Sequence, residues 1–260
     1  MAEPVTYSGY LRLDQLLSAQ QPKSGEHDEM LFIVIHQIYE LWFKQLLHEF
    51  AKVQAELEAG STTHAMRTLR RTLAILKIVV AQLDVLETMT PTQFTRFRDR
   101  LGTSSGFESA QFRELEAVLG RRDRMMVARY AQGSAERERI TAAMSRPSLF
   151  DSFVRYLAGQ GYELPAEIAN RDVRAPLEAS DAMQQVLKKV YEDDTDATAV
   201  CELLVDLDEG MQEWRYHHVK MVERTIGGRR GTGGSAGATY LRTTLGQPTF
   251  PDLWAVRSMG

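Results

Sequence analysis

His27-Asp-Glu-Met-Leu-Phe-Ile-Val-Ile-His36-Gln-Ile-Tyr-Glu-Leu-Trp-Phe-Lys44 is the stretch that decides the fold class. Its apolar residues do not alternate as a half-buried strand requires; they recur at helical spacing and cover most of a helix circumference. Met30, Phe32, Ile35, Ile38, Trp42, Leu46 and Phe50 extend the pattern, predicting a helix from about His27 to Glu56 that is buried on several sides. Downstream, Met66, Leu69, Leu73, Leu76, Val80, Leu83 and Leu86 form the stripe of a second long helix, about Thr63 to Thr88, with Ser61 as its expected N-cap. A third runs from Asp196 to Ile226 and stops at Gly227-Gly228.

Between these lie shorter pieces. Met89 to Ser109 reads as irregular, with a helical turn around Phe94 to Arg98; short helices are expected near Ala110 to Leu119 and Arg122 to Ala131. Residues 133–194 read as short helices joined at Pro147, Gly159, Gly161 and Pro165, and Gly227 to Gly237 as a glycine-rich loop before a short C-terminal helix. No repeat or hairpin signal occurs. The expectation is a single all-α domain over residues 1–260.

Composition narrows the function classes. Lys plus Arg number 31 against 35 Asp plus Glu, a balance that argues against a nucleic-acid binder, whose affinity needs a basic surface. One cysteine, Cys201, excludes an intrachain disulfide framework, a CxxC zinc site and a CxxCH haem attachment. No apolar run is long enough to cross a bilayer, and the start lacks the pattern of a secretory signal, so a cytoplasmic location is expected. HExxH and ExxH are both absent, removing a helical zinc protease and a di-iron bundle. Glu202, Asp206, Glu209 and Glu213 share one helical line opposite the apolar stripe and read as a solvated face. Arg121, Arg122 and Arg124 read as a solvated helix start.

Two histidines stand out by position. Leu204, Leu207, Met211, Trp214 and His218 share one buried stripe, whereas His217 falls on a line with Gly210, Glu213 and Lys220. Phe32, His36, Tyr39, Phe43, Leu47 and Phe50 form a second face. Each histidine has two readings: a hydrogen-bonded core residue, or a neutral imidazole available to a metal or cofactor. His27 reads as part of a helix start, and His48 and His64 as solvated.

Several long motifs in order then resemble the tryptophan 2,3-dioxygenase family. They are the His27–Lys44 stretch, Phe97-Arg98, Ser105-Gly106-Phe107, Gln111-Phe112-Arg113, Trp214-Arg-Tyr-His-His218, Arg224-Thr-Ile-Gly227 and Gly231-Thr-Gly-Gly-Ser-Ala-Gly237. Arg146-Pro-Ser-Leu-Phe150 and Phe250-Pro-Asp-Leu-Trp254 are also similar to family segments. The resemblance implies a helical bundle enclosing a haem pocket, with one haem b per subunit. It also implies cleavage of the L-tryptophan indole C2–C3 bond by dioxygen to N-formyl-L-kynurenine, the first step of the kynurenine pathway. Position by position, it implies His218 as the proximal iron ligand and His36 as the distal residue that hydrogen-bonds the indole nitrogen. Phe32 becomes the indole wall, Arg98 the carboxylate clamp, Thr232 the ammonium contact, and Ser105 and Gly106 cofactor neighbours. Phe94 takes a place where the family has phenylalanine or tyrosine. The loop holding Thr232 is implied to order over bound substrate. Tyr7, Tyr10 and Leu11 are implied to close a neighbouring subunit's pocket within a homotetramer. Glu108 replaces the usual glutamine, adding a charge near the expected haem edge. Rival readings are a relative that adds a single oxygen atom to an indole, and a haem sensor or purely structural protein on the same scaffold.

Overall fold

The computed structural model describes residues 5–102, 104–229, 231 and 237–259. Among them there are helices and turns but no strand. In chain order the helices are α1 (Tyr7–Leu11), α2 (Leu13–Leu17), α3 (His27–Glu58), α4 (Thr62–Glu87), α5 (Pro91–Arg98), α6 (Ala110–Val118) and α7 (Arg124–Val127). They continue with α8 (Ala135–Met144), α9 (Leu149–Gly159), α10 (Ala166–Ala169), α11 (Asp181–Asp193), α12 (Asp196–Ile226), α13 (Ala238–Arg242) and α14 (Pro251–Ala255). The all-α expectation holds, and the three long helices fall within two residues of their expected ends.

Helix α4 lies between α3 and α12, packing extensively on both. Leu69, Leu76 and Leu83 of its stripe are buried there, with Phe50 and Val53 from α3 and Leu204 and Leu207 from α12. Gly210, which the sequence placed on a polar line, instead faces α4: a Cβ there would lie 2.6 Å from Leu76 Cδ2. The missing side chain permits that close approach. Helix α12 ends where Gly227 adopts φ +59, a conformation that disfavours any side chain.

The short helices carry local signals of their own. At α5, the Thr90 hydroxyl accepts the Gln93 N–H while the Gln93 side chain accepts the Thr90 N–H, and Pro91 sits at the first helical position. The 89–109 stretch is therefore more ordered than expected. Ser148 and Asp151 make the same reciprocal pair at α9. Buried Asp208 on α12 accepts from Thr249 N–H (2.8 Å), Phe250 N–H (3.0 Å) and Trp254 Nε1–H (2.9 Å), pinning the C-terminal segment. Phe250 then stacks on Phe150 at 5.9 Å, bringing two of the quoted motifs together.

Three expectations need correction. Ser61 occupies the N-cap of α4, but its hydroxyl makes no capping bond. The helix expected over Arg122 to Ala131 is only the single turn α7. Arg122 is buried, donating to the carbonyls of Val173, Arg146 and Ala117 and tying three segments together. Its methylene stem and five donors suit that task, which a charge count cannot reveal.

Candidate functional site

His36 projects from α3 toward the cavity side of the bundle. Its Nδ1 lies 2.7 Å from the Phe32 carbonyl oxygen. A carbonyl can only accept, so Nδ1 carries the proton and Nε2 keeps its lone pair. Burial depresses the imidazole pKa, outweighing the opposite pulls of the Phe32 carbonyl and of Glu40. The Phe32 ring lies 4.1 Å from the imidazole and 5.8 and 5.6 Å from Phe94 and Phe97, forming an aromatic wall.

His218 faces the same cavity from α12. Its imidazole stacks on Trp214, centroids 5.0 Å apart and planes at 17°. Trp214 in turn packs on Phe112 at 4.8 Å. Burial, followed by the nearby positive charge of a protonated His36 and of Arg113, pushes the His218 pKa down to about 4. The ring is neutral at physiological pH, the state a metal ligand requires. No hydrogen bond engages it among the described residues.

The cavity and its open mouth together enclose about 1630 Å³ free of protein atoms, open solvent at the mouth included. Its wall comes from α3 and α12, and its rim from shorter pieces: Arg98 ends α5, and Ser105 and Gly106 open a single 3₁₀ turn. Ser105 Oγ accepts the Phe107 N–H at 3.3 Å, leaving its own proton available. A Cβ at Gly106 would meet only His36 Nε2, at 4.0 Å, so the absent side chain leaves room in front of that nitrogen.

Phe32, His36, Phe94, Arg98, Ser105, Gly106 and His218 are thus brought to one cavity. Thr232 lies outside the described residues, although Gly231 and Gly237 beside its loop line the cavity. Tyr7, Tyr10 and Leu11 do not reach it within this chain; they lie exposed on α1, the two tyrosines each 76% accessible. Glu108 is exposed and is not part of the lining. His48 and His64 are exposed as expected.

Sequence reasoning missed the buried polar lining. Arg113, Glu116 and Arg215 all border the cavity, with Glu116 paired to Arg113 and, at 3.5 Å, to Arg121. Among the described residues Arg113 Nε is a buried N–H donor with no acceptor. The Trp214 indole N–H is directed at the Tyr39 hydroxyl, which can accept it while donating its own proton to the Val79 carbonyl. Arginine spacing along α6 shows only that such residues exist. That they turn inward becomes visible only once α6 is packed on α3 through Gln111, which donates to the Glu40 carbonyl and carboxylate at 2.9 and 2.8 Å.

The donor set constrains what this cavity can hold. Among the described residues no three His, Cys, Asp or Glu side chains converge. A metal at His218 must therefore bring most of its own ligands, as iron in a macrocycle does. The apolar wall suits a flat hydrophobic ring, and the unpartnered Arg113 Nε–H suits an anionic or carbonyl oxygen.

A family model described as tryptophan 2,3-dioxygenase matches residues 1–158 and 176–259. A tryptophan 2,3-dioxygenase of Anaeromyxobacter sp. (strain K) is 62% identical over 255 residues, covering 97% of this chain and 95% of the relative. One from Herpetosiphon aurantiacus is 52% identical over 99% of both chains, and one from Arthrobacter sp. is 41% identical over 98% of this chain and 91% of its own.

Proposed function

The chain belongs to the tryptophan 2,3-dioxygenase family, and on that premise we propose how its own residues carry the reaction. The activity is oxidative cleavage of the indole C2–C3 bond of L-tryptophan by dioxygen, giving N-formyl-L-kynurenine. The family is haem-dependent. In our reading, haem b would be held through His218, and the buried Nε–H of Arg113 would supply a polar partner within the same cavity. The oxidative chemistry is what the haem supplies when bound.

The residues of the chain bind, orient and exclude water. The indole lies against Phe32, and its N–H donates to the free lone pair of His36 Nε2. Arg98 grips the carboxylate with a planar two-point fork, and Thr232 takes the ammonium group. Phe94 is fully apolar, so the carboxylate has no phenol partner at that position. Ser105 and Gly106 border the cofactor. Fixing the substrate in one pose against a dry wall converts a bimolecular encounter into an oriented one.

We further assign the chain to the cytoplasm, as a homotetramer. No described helix is long and apolar enough to cross a membrane. The exposed Val5, Tyr7, Tyr10 and Leu17 are apolar surface of the kind that docks on a partner, here the mouth of a neighbouring cavity.

One observation carries the reading: two long helices each present an imidazole, held neutral by burial, to one largely apolar cavity. The test is the reduced protein mixed anaerobically with L-tryptophan and then exposed to dioxygen. N-formylkynurenine should form with a mass gain of two oxygen atoms. A gain of one would make the enzyme a mono-oxygenase, and a coloured but inert protein would make it a sensor.

A further inference from the structure

The Ser105–Glu108 segment is a single 3₁₀ turn, an element too short to hold its shape unaided. Its backbone nevertheless stands opposite His36 Nε2 at Gly106. The ring of Phe107, the next residue, is gripped from three directions. The Arg129 guanidinium lies 4.7 Å from its centroid, that of Arg113 5.2 Å, and the Tyr240 ring meets it at 5.3 Å and 82°. These partners come from three separate places: the segment after α7, helix α6 and helix α13. Tyr130 adds a backbone tie, its hydroxyl donating to the Glu108 carbonyl at 3.1 Å. Cation–π and edge-to-face contacts depend on an aromatic face, which an aliphatic residue of similar bulk does not offer.

We propose that Phe107 is a positioning residue that sets tryptophan affinity by holding the Gly106 backbone at its spacing from His36, with Tyr240 as its principal brace. This rests on the substrate placement proposed above. Arg113 and Arg129 anchor the ring on the side of α6, whereas Tyr240 links it to the helix that follows residues 232–236. Phe107 and Tyr240 themselves border the cavity. Losing the ring frees the 3₁₀ turn beside His36, whereas His218 keeps its place on α12, so substrate binding suffers and the cofactor stays bound through its iron ligand.

The test uses the haem-loaded enzyme with L-tryptophan, comparing equilibrium dialysis under argon with steady-state kinetics. In Phe107→Leu, binding weakens and KM rises by about tenfold, kcat stays within about twofold, and haem per chain is unchanged. Phe107→Tyr keeps the face and returns both values to within about twofold of the parent. Tyr240→Leu reproduces the loss, and the double variant is no more than about twofold worse than either single one. Unchanged binding in Phe107→Leu, an equal loss in Phe107→Tyr, a multiplicative double variant, or loss of haem in Phe107→Leu each overturns the proposal. A parent enzyme that binds no tryptophan overturns the substrate placement itself; a parent that binds it, beside a Phe107→Leu that binds it equally, overturns only the role of Phe107.

Discussion

The wall of the cavity and its rim are built by different means. His36 and His218 sit mid-helix on elements of 32 and 31 residues whose buried stripes leave each imidazole one place to go. Arg98, Ser105 and Gly106 sit at the end of an eight-residue helix and on one 3₁₀ turn, held by side chains that arrive from elsewhere. The wall is thus fixed by the packing that stabilises the whole bundle, and the rim by a few local contacts. A change at His218 in the wall should act on cofactor retention, one at His36 on the reacting indole, and one in the rim on substrate affinity with haem retained.

The largest expected effect lies in the wall. His218→Ala removes the imidazole and leaves a helix that Ala favours, so the protein stays helical while haem falls to background. The check is the haem-to-protein ratio after gel filtration, beside the far-ultraviolet circular dichroism. Normal haem content would break the assignment of His218 and with it the comparison. Next comes the rim: Arg98→Ala should raise the KM for L-tryptophan by about 100-fold, the scale of losing one partner of a buried charge pair, with haem retained. Arg98→Lys should recover only part, because a point charge cannot reproduce a planar fork.

His36→Ala tests the wall from the substrate side, with an expected loss of roughly 50-fold in kcat/KM, since an indole N–H is left buried without an acceptor. The pH profile gives a sharper reading. Burial holds the His36 pKa below its ordinary 6.5, and only the neutral ring accepts a hydrogen bond at Nε2. The parent's kcat/KM should therefore stay level as pH falls through 6.5 and decline only below it. Stability has the same sign: the unfolded chain takes up this proton near pH 6.5 while the folded chain does not, so acid favours unfolding. His36→Ala should lose the acid limb, and an unchanged limb would place it on another group.

This division also explains what could be read from the chain alone. Period-3.6 stripes predict α3, α4 and α12 because their length averages out local exceptions, and a histidine on such a stripe is located along with it. The capping box Thr90-Pro-Thr-Gln93 is equally present in the sequence and marks the start of α5 at Pro91, three residues before the expected turn at Phe94. Other features had no local signal. Arg122 and Asp208 are charged residues whose partners lie as far as 51 and 46 positions away, and only the folded chain shows that they are buried and satisfied. The roles of Arg98, Thr232 and the N-terminal tyrosines came from resemblance, because a short rim leaves no periodicity to interpret.

The smallest effects come from one substitution made in each region. Gly106→Ala places a methyl at ordinary contact distance, 4.0 Å from His36 Nε2, with nothing else nearby. The backbone accepts it, so Tm should hold, but the methyl stands where the indole N–H must approach, and KM should rise about fivefold, toward the lower end of what one methylene is worth in a pocket. Gly210→Ala places the same methyl 2.6 Å from Leu76 Cδ2, between α12 and α4. Overpacking there costs about 1–3 kcal/mol, offset by about 1 kcal/mol of helix propensity, so Tm should fall modestly while KM stays level. If Gly106→Ala lowers Tm or Gly210→Ala raises KM, wall and rim are not mechanically separate. The cavity would then have to be treated as one cooperative unit in which packing and affinity shift together.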